Sequence, residues 1–451
     1  MEFAETIPQD VSEASARHVE QQRLWIGVAA LASGAMVFAQ GIIAARTLGP
    51  ADFGTLAIVI AAVTTFRVVA TLRTRGAVIH LMNDALVDRD FAYAGASLKA
   101  AGLLEACVTL LAAAAAWELA PLAAHAFTRD PGMTGLIRVY ALTIPFTVLT
   151  QTALGVLQYF GRFDVEMMVR TADRAATLAA TVGAVMVGGT LDAFVVAATI
   201  GPCVGGLLLA GLGIAEAYRR LGERWARAPL SAMAGRWGAL VRGSVRGTLQ
   251  TTLAAVAREG DPLWIAWFST PIMAGYYALA AGLAGVALVP AAPFAQRAFP
   301  HVARLAAQQR WREVYAIRAR SVMLVGVGVA VVLIMFGVDG QELLGEVYGR
   351  AFEPATNTLI ILLGAGGIAA IAMWARPILL ALGLAPANLL TTLLTGAIKI
   401  AGVLLLVRPL GAEGCALATA VAWAIASGLM ALRARAAARV GAEVAPPLGA
   451  S

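Results

Sequence analysis

Charged residues and cysteine are both scarce in this 451-residue sequence. Asp, Glu, Lys and Arg make up 14% of the chain, 60% is hydrophobic, and the mean hydropathy is +0.77. Soluble domains contain about 25% charged residues, so this composition is typical of a polytopic membrane protein. The three cysteines all lie in apolar segments, and they support neither a disulfide framework nor a metal site. We expect no cofactor.

Several signals of soluble enzymes and secreted proteins are missing. Residues 1–23 lack the short apolar core and cleavage site of a signal peptide, so we expect the first membrane helix to act as its own insertion signal. No Gly-x-x-x-x-Gly-Lys-Ser/Thr loop is present, which excludes ATP hydrolysis by that route. The net charge of +7 does not indicate nucleic-acid binding, because the basic residues alternate with hydrophobic segments.

What the sequence has in abundance is long apolar stretches. A helix of about 20 residues crosses a bilayer, and twelve stretches are long enough. They cover approximately 24–45, 53–79, 95–120, 134–158, 165–188, 191–214, 244–268, 272–296, 318–339, 355–381, 386–408 and 412–434. The sequence therefore predicts an all-α membrane protein of about twelve transmembrane helices.

The longest polar connection divides these stretches into two sets of six. It lies within 215–243 and is rich in arginine and tryptophan, which predicts an amphipathic linker on the membrane surface. The predicted organisation is a cytoplasmic tail (1–23), a first lobe (24–214), the linker (215–243), a second lobe (244–434) and a cytoplasmic tail (435–451).

The distribution of basic residues predicts the orientation. Three lie inside helices (Arg67, Arg258, Lys399), five lie at one set of helix ends (Arg46, Arg129, Arg138, Arg350, Arg408), and the other 26 of 34 lie on the opposite side or in the tails. Because basic residues accumulate in the cytoplasm, both termini are predicted to be cytoplasmic. The five residues then mark the outer side.

The two halves carry a repeated pattern. At an offset of 221 positions, Pro50 aligns with Pro271, Gly54 with Gly275, and His80 with His301. The chain has only four histidines, so the last match is informative. We interpret the pattern as a duplicated membrane unit, which predicts two pseudo-symmetric lobes around a central cavity.

Arg67 is the leading candidate for a binding residue. An ionisable side chain at bilayer depth costs several kcal/mol unless it faces water or a partner. Polar residues follow it at helical spacing on one face (Thr64, Thr71, Thr74, Arg75), which predicts the wall of an aqueous cavity. A buried arginine with a purely structural role is the alternative.

Other charged residues are weaker candidates. Arg73 and Arg75 lie nearer the cytoplasmic end, where arginine commonly reaches the lipid headgroups. Arg258 is the counterpart in the second half, and Glu259 or Asp261 could instead neutralise it. A further polar row predicts either a cytoplasmic gate or an ordinary ion-paired helix start (Arg170, Asp173, Arg174, Thr177, Thr181).

Two patches of sequence resemble a known family. The run from Ala45 to Ala57, ARTLGPADFGTLA, is similar to the first helix-turn of bacterial polysaccharide flippases in the multidrug/oligosaccharidyl-lipid/polysaccharide (MOP) exporter superfamily. The residues Asp261 and Ala274–Ala280, AGYYALA, resemble the signature of the seventh and eighth helices. The motif positions with an expected structural role are Gly49, Pro50, Gly54, Asp261, Gly275, Tyr276 and Tyr277.

The resemblance implies a function and a set of partners. Such proteins move undecaprenyl-diphosphate-linked oligosaccharides across the bacterial cytoplasmic membrane by alternating access, for the synthesis of O-antigen, capsule or exopolysaccharide. The substrate is then a lipid-linked oligosaccharide, and Arg67 with Arg258 would face its diphosphate, with Arg73 and Arg75 as further candidates. Membrane lipids are expected partners, and the polysaccharide polymerase and chain-length proteins are candidates. The sequence assigns no coupling ion.

Two alternatives stay open. A cation-coupled exporter of small drugs has the same fold, but it needs a buried carboxylate in the first lobe, and Glu105 is the only deep candidate there. A membrane enzyme that polymerises or ligates polysaccharide needs a large outer loop with catalytic residues. The outer loops here are short, and the longest predicted one is 121–133.

Overall fold

Helices make up nearly all of the chain that the structure describes. The computed structural model describes residues 9–288, 310–372 and 385–443, with Leu305 and Gln308 between them, and it has no strand in these ranges. The helices are α1 (Gln9–Ala70), α2 (Arg75–Val87), α3 (Phe91–Ala123), α4 (Thr134–Ala141), α5 (Thr143–Phe146), α6 (Thr150–Tyr159), α7 (Phe163–Met186), α8 (Leu191–Leu221), α9 (Arg224–Arg227), α10 (Trp237–Glu259), α11 (Asp261–Phe268), α12 (Pro271–Leu288), α13 (Trp311–Tyr348), α14 (Ala355–Ala372) and α15 (Ala385–Glu443). The all-α prediction is confirmed.

Six helical segments in the described residues are long and apolar enough to cross a membrane, and two further apolar helices, Pro271–Ala287 and Ala355–Ala370, are shorter. Large apolar side chains point outward along these helices, for example Leu111, Val338 and Leu405, each more than 70% exposed. Such a surface suits contact with lipid chains. The chain is a multi-pass membrane protein, and the number of twelve spans stays a prediction.

The turn at Gly49 and Pro50 divides α1 into two arms. Gly49 has φ +70° and ψ 175°, a conformation that is essentially restricted to glycine. Pro50 follows at the first position of the second arm, where its fixed φ and missing N–H suit a helix start. The first two predicted spans are therefore the two arms of α1.

The repeated glycines bring the two lobes together. A methyl group on Gly54 would overlap the carbonyl of Pro271, and one on Gly275 would overlap the carbonyl of Pro50. Since Gly54 aligns with Gly275 and Pro50 with Pro271, each lobe offers the same surface to the other, as in a two-fold symmetric dimer. The predicted pair of pseudo-symmetric lobes is confirmed. His301, the other repeated residue, lies outside the described residues.

The second arm of α1 ends earlier than the sequence predicts. The span 53–79 was expected to be one helix, but α1 ends at Ala70 and α2 starts at Arg75. The next hydrogen-bond partners come from another helix: the Arg73 backbone N–H donates to Thr248 Oγ1 at 2.9 Å, and Thr252 Oγ1 donates to the Val68 carbonyl at 3.2 Å. Side chains of α10 therefore satisfy backbone groups that an unbroken helix would pair internally.

Candidate functional site

A cavity of about 330 Å³ lies between the lobes. Both arms of α1 line it together with α4, α7, α8 and α12, and Tyr348 of α13 closes one side. Most of the wall is apolar; the polar lining residues are Gln40, Tyr140, Arg174, Thr177, Thr181 and Tyr348. The cavity thus has a polar face on the first lobe and an apolar face on α12, formed by residues such as Leu279 and Leu283.

Arg174 supplies the charge on the polar face. One side of α7 carries Arg174, Thr177 and Thr181, because residues spaced by three and seven positions lie on the same side of a helix. The two threonine hydroxyls donate to the carbonyls four residues earlier, at 2.9 Å and 2.8 Å, so they stay within the helix. The Gln40 side chain donates to the Arg174 carbonyl at 3.0 Å and fixes α1 against α7.

Arg67 and Arg174 both lie near Tyr140. The Tyr140 side chain is next to Thr64 and within electrostatic range of Arg67, Arg174 and Asp173. In the described part of the chain, neither Arg67 nor Arg174 has a hydrogen bond or an ion pair from its guanidinium. Both side chains are half-buried. Arg174 lines the cavity, whereas Arg67 is not among the lining residues and lies near the same tyrosine. Two cations near one tyrosine, one of them at the cavity, form a site that could hold an anion.

Arg174 was assigned to a gate by sequence, and Tyr140 was not singled out at all. The spacing of Arg174, Thr177 and Thr181 shows that they share a face, but it does not show what the face meets. Tyr140 carried no signal, since it is one aromatic residue within an apolar stretch. Only the packing of α4 against α1 and α8 brings it to the cavity.

The predicted salt-bridged gate is not formed in this conformation. Arg170 pairs with Glu166 at 3.2 Å, one turn earlier on the same helix. Asp173 packs instead against Gly201 and Gly205 of α8, and its Oδ1 atom has no hydrogen-bond partner among the described residues. A gate built from Arg170, Asp173 and Arg174 stays a prediction for other conformations.

An ion pair lies at the N-terminal end of α7, just before the predicted span 165–188. Arg162 contacts Asp164 at 3.0 Å, and it also contacts Glu216 of α8 at 3.2 Å. The hydrogen bond from Arg162 lowers the pKa of the Asp164 carboxyl. A lowered pKa means that this pair stabilises the fold above the ordinary carboxyl pKa and that the contribution is lost as the pH falls.

The predicted polar face of Arg67 does not continue past Ala70. Thr71 donates to the Arg67 carbonyl at 2.7 Å, and Thr74 is fully buried. Because the helix breaks between them, Thr71, Thr74 and Arg75 do not continue a polar face from Arg67, so the predicted continuous face is wrong. Thr64 and Arg67 are not among the residues that line the cavity either. Arg73 and Arg75 lie in and just after the break, and neither is among the residues that line the cavity.

Glu105 of α3 binds two helix breaks, the one between α1 and α2 and the one just before α6. Its carboxylate accepts hydrogen bonds from Thr74 Oγ1 at 3.1 Å, from the Gln151 and Thr152 backbone N–H groups at 2.8 Å each, and from Thr152 Oγ1 at 2.7 Å. The N–H groups belong to the first turn of α6, which follows Leu149 in the left-handed region, at φ 69°. A carboxylate at a helix N-terminus satisfies free donors and interacts favourably with the helix dipole. Glu105 therefore has a structural role at the breaks and does not line the cavity.

The second lobe has a buried ion pair of its own. Lys399 Nζ lies 2.7 Å from Asp261 Oδ1, and the Tyr277 hydroxyl donates to the other carboxylate oxygen. These residues come from α15, α11 and α12, so the group joins three helices. Asp261 is thus bound to Lys399. The sequence-based alternative, in which Glu259 or Asp261 neutralises Arg258, stays a prediction. The side chain of Arg258 lies outside the described residues.

Contacts between the lobes close the cavity at the end where the Gly49–Pro50 turn lies, the predicted outer end. Arg46 Nε donates to the Val347 carbonyl at 2.8 Å and Nη2 to the Glu346 carbonyl, while Arg129 Nη2 donates to the Trp267 carbonyl at 3.2 Å. All three carbonyls lie in last turns, of α13 and α11, where they lack partners within the helix. First-lobe arginines thus cap second-lobe helices.

The sequence matches a family model. The polysaccharide biosynthesis protein family matches residues 20–306, which is more than half of the chain. The chain belongs to this family. No curated protein matches the sequence.

Solved structures show the same fold at low sequence identity. The lipid II flippase MurJ in an inward closed conformation has a TM-score of 0.72 and 12% identity, and the match covers 91% of this chain and 87% of that one. An inward-facing multidrug resistance MATE family transporter of the MOP superfamily has a TM-score of 0.67 and 13% identity, with 94% and 99% covered. The Vibrio cholerae MATE transporter VcmN in the bent form has a TM-score of 0.57 and 14% identity, with 95% and 98% covered. The chain shares the fold of these solved transporters.

Proposed function

We propose that this protein is a flippase that carries a polyprenyl-diphosphate-linked oligosaccharide across the bacterial cytoplasmic membrane, with both termini in the cytoplasm. The observation that carries the proposal is a pair of guanidinium groups between the lobes, with Arg174 in the cavity lining and Arg67 near it. Neither group makes a hydrogen bond or a salt bridge to a described residue. An unpaired cation at bilayer depth is costly unless it binds something. Membership of a polysaccharide biosynthesis family gives the class of cargo, and a diphosphate is the anionic part of such a cargo.

Different parts of the cavity would bind different parts of the cargo. Arg67 and Arg174 would hold the diphosphate through charge-assisted hydrogen bonds, for which the planar guanidinium is well suited. Arg258 of α10 is the candidate from the second lobe, as the sequence predicts. The apolar wall of α12 would face the polyprenyl side of the cargo. No covalent bond is made or broken.

Alternating access would follow from closing one end of the cavity at a time. The glycine contact and the arginine caps close the predicted outer end, and Thr248 and Thr252 of α10 join the lobes at the opposite, inner end. Moving one charge through 100 mV is worth about 2.3 kcal/mol. A membrane potential or an ion gradient would therefore be enough to drive such a cycle.

The multidrug-exporter alternative has lost its main candidate residue. It relied on Glu105 as a deep carboxylate for a cation, but four hydrogen bonds hold that carboxylate against α6 and Thr74. The one charged residue in the described lining of the cavity, Arg174, is instead cationic, which disfavours a cationic drug.

Deletion of the gene tests the function directly. We expect one surface glycan to disappear while its lipid-linked repeat unit accumulates on the cytoplasmic face of the membrane, and a plasmid copy should restore both. Normal glycan together with increased drug sensitivity would contradict the proposal and favour the exporter.

A further inference from the structure

A second cavity lies outside the central one and shares no lining residue with it. It is a groove of about 350 Å³ between α3 and α8, with α6 as its floor, and its surface is almost entirely apolar. This volume is within the usual range of ligand sites. Small residues make it deep: Gly102 and Ala106 on α3, Ala210 and Gly213 on α8, and Ala153 on α6.

The groove opens on the lipid-facing side of the first lobe. Leu103 and Ile214 lie on its two walls and are 52% and 40% exposed. In a membrane protein, side chains exposed in this way meet lipid chains. The substance available to fill the groove is therefore an apolar lipid chain.

One end of the groove lies beside two side chains that carry hydrogen-bond donors. There, the connection after α8 crosses α3, and Trp225 packs against Gly95 so closely that a methyl group on this glycine would lie 2.7 Å from the Trp225 Cα. Trp225 and Lys99 both line this end. Lys99 donates one hydrogen bond, to the Ala226 carbonyl at 2.9 Å. The Trp225 indole N–H is buried and has no acceptor among the described residues.

These two donors correspond to the chemistry of a lipid headgroup. An ammonium group attracts a phosphate, and an indole N–H binds an ester carbonyl or a phosphate oxygen. The segment around them, residues 216–243, has six arginines and two glutamates, and basic residues close to a membrane surface favour anionic lipids. An anionic phospholipid supplies an apolar chain for the groove and an acceptor headgroup for the end at Lys99.

We propose that the groove between α3, α6 and α8 binds an anionic phospholipid of the cytoplasmic leaflet, with one acyl chain between the helices and the headgroup at Lys99 and Trp225. The lipid is a resident of the first lobe and not the transported cargo, because the groove is separate from the central cavity. Its chain packs on Leu149 and Thr152, the start of α6, where Glu105 holds the helix break. Bound lipid therefore stabilises this break.

A photoactivatable phosphatidylglycerol, with a diazirine on the acyl chain, tests the site in nanodiscs that contain the full chain. We expect its adducts on the peptides that carry Leu103 and Ile214. Ala106→Phe fills the groove and should remove most of this labelling, whereas Ala114→Phe, on the lipid-exposed side of the same helix, should not. Ala210→Phe fills the groove from α8 and serves if Ala106→Phe fails to fold.

Two further measurements complete the test. Lys99→Gln should reduce the preference for phosphatidylglycerol over phosphatidylcholine by about fivefold, the effect of one basic residue near an anionic surface. Phosphatidylglycerol should raise the melting temperature of the wild type and of Ala114→Phe, but not of Ala106→Phe. Equal labelling in Ala106→Phe and wild type, or a lipid-linked diphosphate that displaces phosphatidylglycerol from the groove, would overturn the proposal. Neither result depends on whether the protein is a flippase.

Discussion

Two arginines, Arg174 in the lining of the central cavity and Arg67 near it, form no salt bridge with a described residue. The Asp173 carboxylate is within electrostatic range of Arg174. Two deep charges away from the cavity are compensated: Lys399 by Asp261, and Glu105 by four donors. Arg67 and Arg174 differ from these, since each guanidinium stays half-buried without an ion pair to any residue that the structure describes. This contrast is the basis of the proposed anion site.

Neutralising either cavity arginine should weaken binding of the diphosphate. A hydrogen bond to a charged group is worth about 1.5–3 kcal/mol, so Arg67→Gln and Arg174→Gln should each lower affinity for a polyprenyl-diphosphate sugar about tenfold to a hundredfold. Arg67→Lys should retain part of the affinity. Titration of the purified protein with a fluorescent analogue measures the effect.

Arg170→Gln is the matched control, because Arg170 lies one turn from Arg174 on the same helix but is exposed and paired with Glu166. Equal affinity in Arg174→Gln and Arg170→Gln would remove Arg174 from the site.

Glu105 should matter for stability and not for cargo binding. Glu105→Gln keeps the size of the side chain but replaces an acceptor with an amide group that faces donors, and unsatisfied buried donors cost about 1–3 kcal/mol. We expect a lower melting temperature in detergent with unchanged affinity for the diphosphate analogue. Glu118→Gln, an exposed site on the same helix, should leave the melting temperature unchanged. Loss of drug resistance without loss of stability in Glu105→Gln would instead indicate a transport role.

At the scale of elements, the breaks in the helices explain what the sequence could and could not predict. The turn at Gly49 and Pro50 was predictable because only glycine adopts φ +70° and ψ 175° easily and proline starts helices. The break at 71–74 was not, since TLRT has neither glycine nor proline. Its stability depends on Thr248 and Thr252 of α10, which are distant in sequence, so no local pattern signals it.

The glycine contact at the outer end gives a prediction for these elements. Gly54→Ala or Gly275→Ala places a methyl group against a carbonyl of the other lobe. The second arm of α1 and helix α12 must then separate to relieve the overlap. We expect the outer end to open more often. A single cysteine at Leu283, in a chain without its native cysteines, should react faster with a membrane-impermeant maleimide added from outside.

Gly135→Ala provides the comparison, since a methyl group there meets nothing within 4 Å. An unchanged rate of labelling in both Gly54→Ala and Gly275→Ala would show that this contact does not control access.

At the scale of the whole molecule, duplication was the most informative feature of the sequence. An offset of 221 residues predicted two lobes, and the reciprocal contacts of Gly54 and Gly275 confirm it physically. What the offset could not give is the difference between the lobes. The first places Arg67 and Arg174 near Tyr140, while the second buries its Lys399 beside Asp261, and these roles depend on packing between helices that differ in sequence.

Contacts at the two ends of the cavity should have opposite effects on access. Arg46→Gln with Arg129→Gln removes the helix caps at the outer end, and Thr248→Val with Thr252→Val removes the contacts of α10 at the inner end. Distances between spin labels across the outer end should increase in the first double variant, and they should decrease or stay constant in the second double variant. Changes of the same sign in both pairs would contradict alternating access.

Reconstituted transport tests the central claim most directly. Purified protein in liposomes should move a fluorescent polyprenyl-diphosphate sugar from the inner to the outer leaflet, as measured by the fraction that dithionite can quench, and should not move a fluorescent phosphatidylcholine. The double variant Arg67→Gln, Arg174→Gln, with a melting temperature equal to that of the wild type, should lose this activity. If the double variant flips the lipid at the wild-type rate, the positively charged cavity is not the route of the diphosphate.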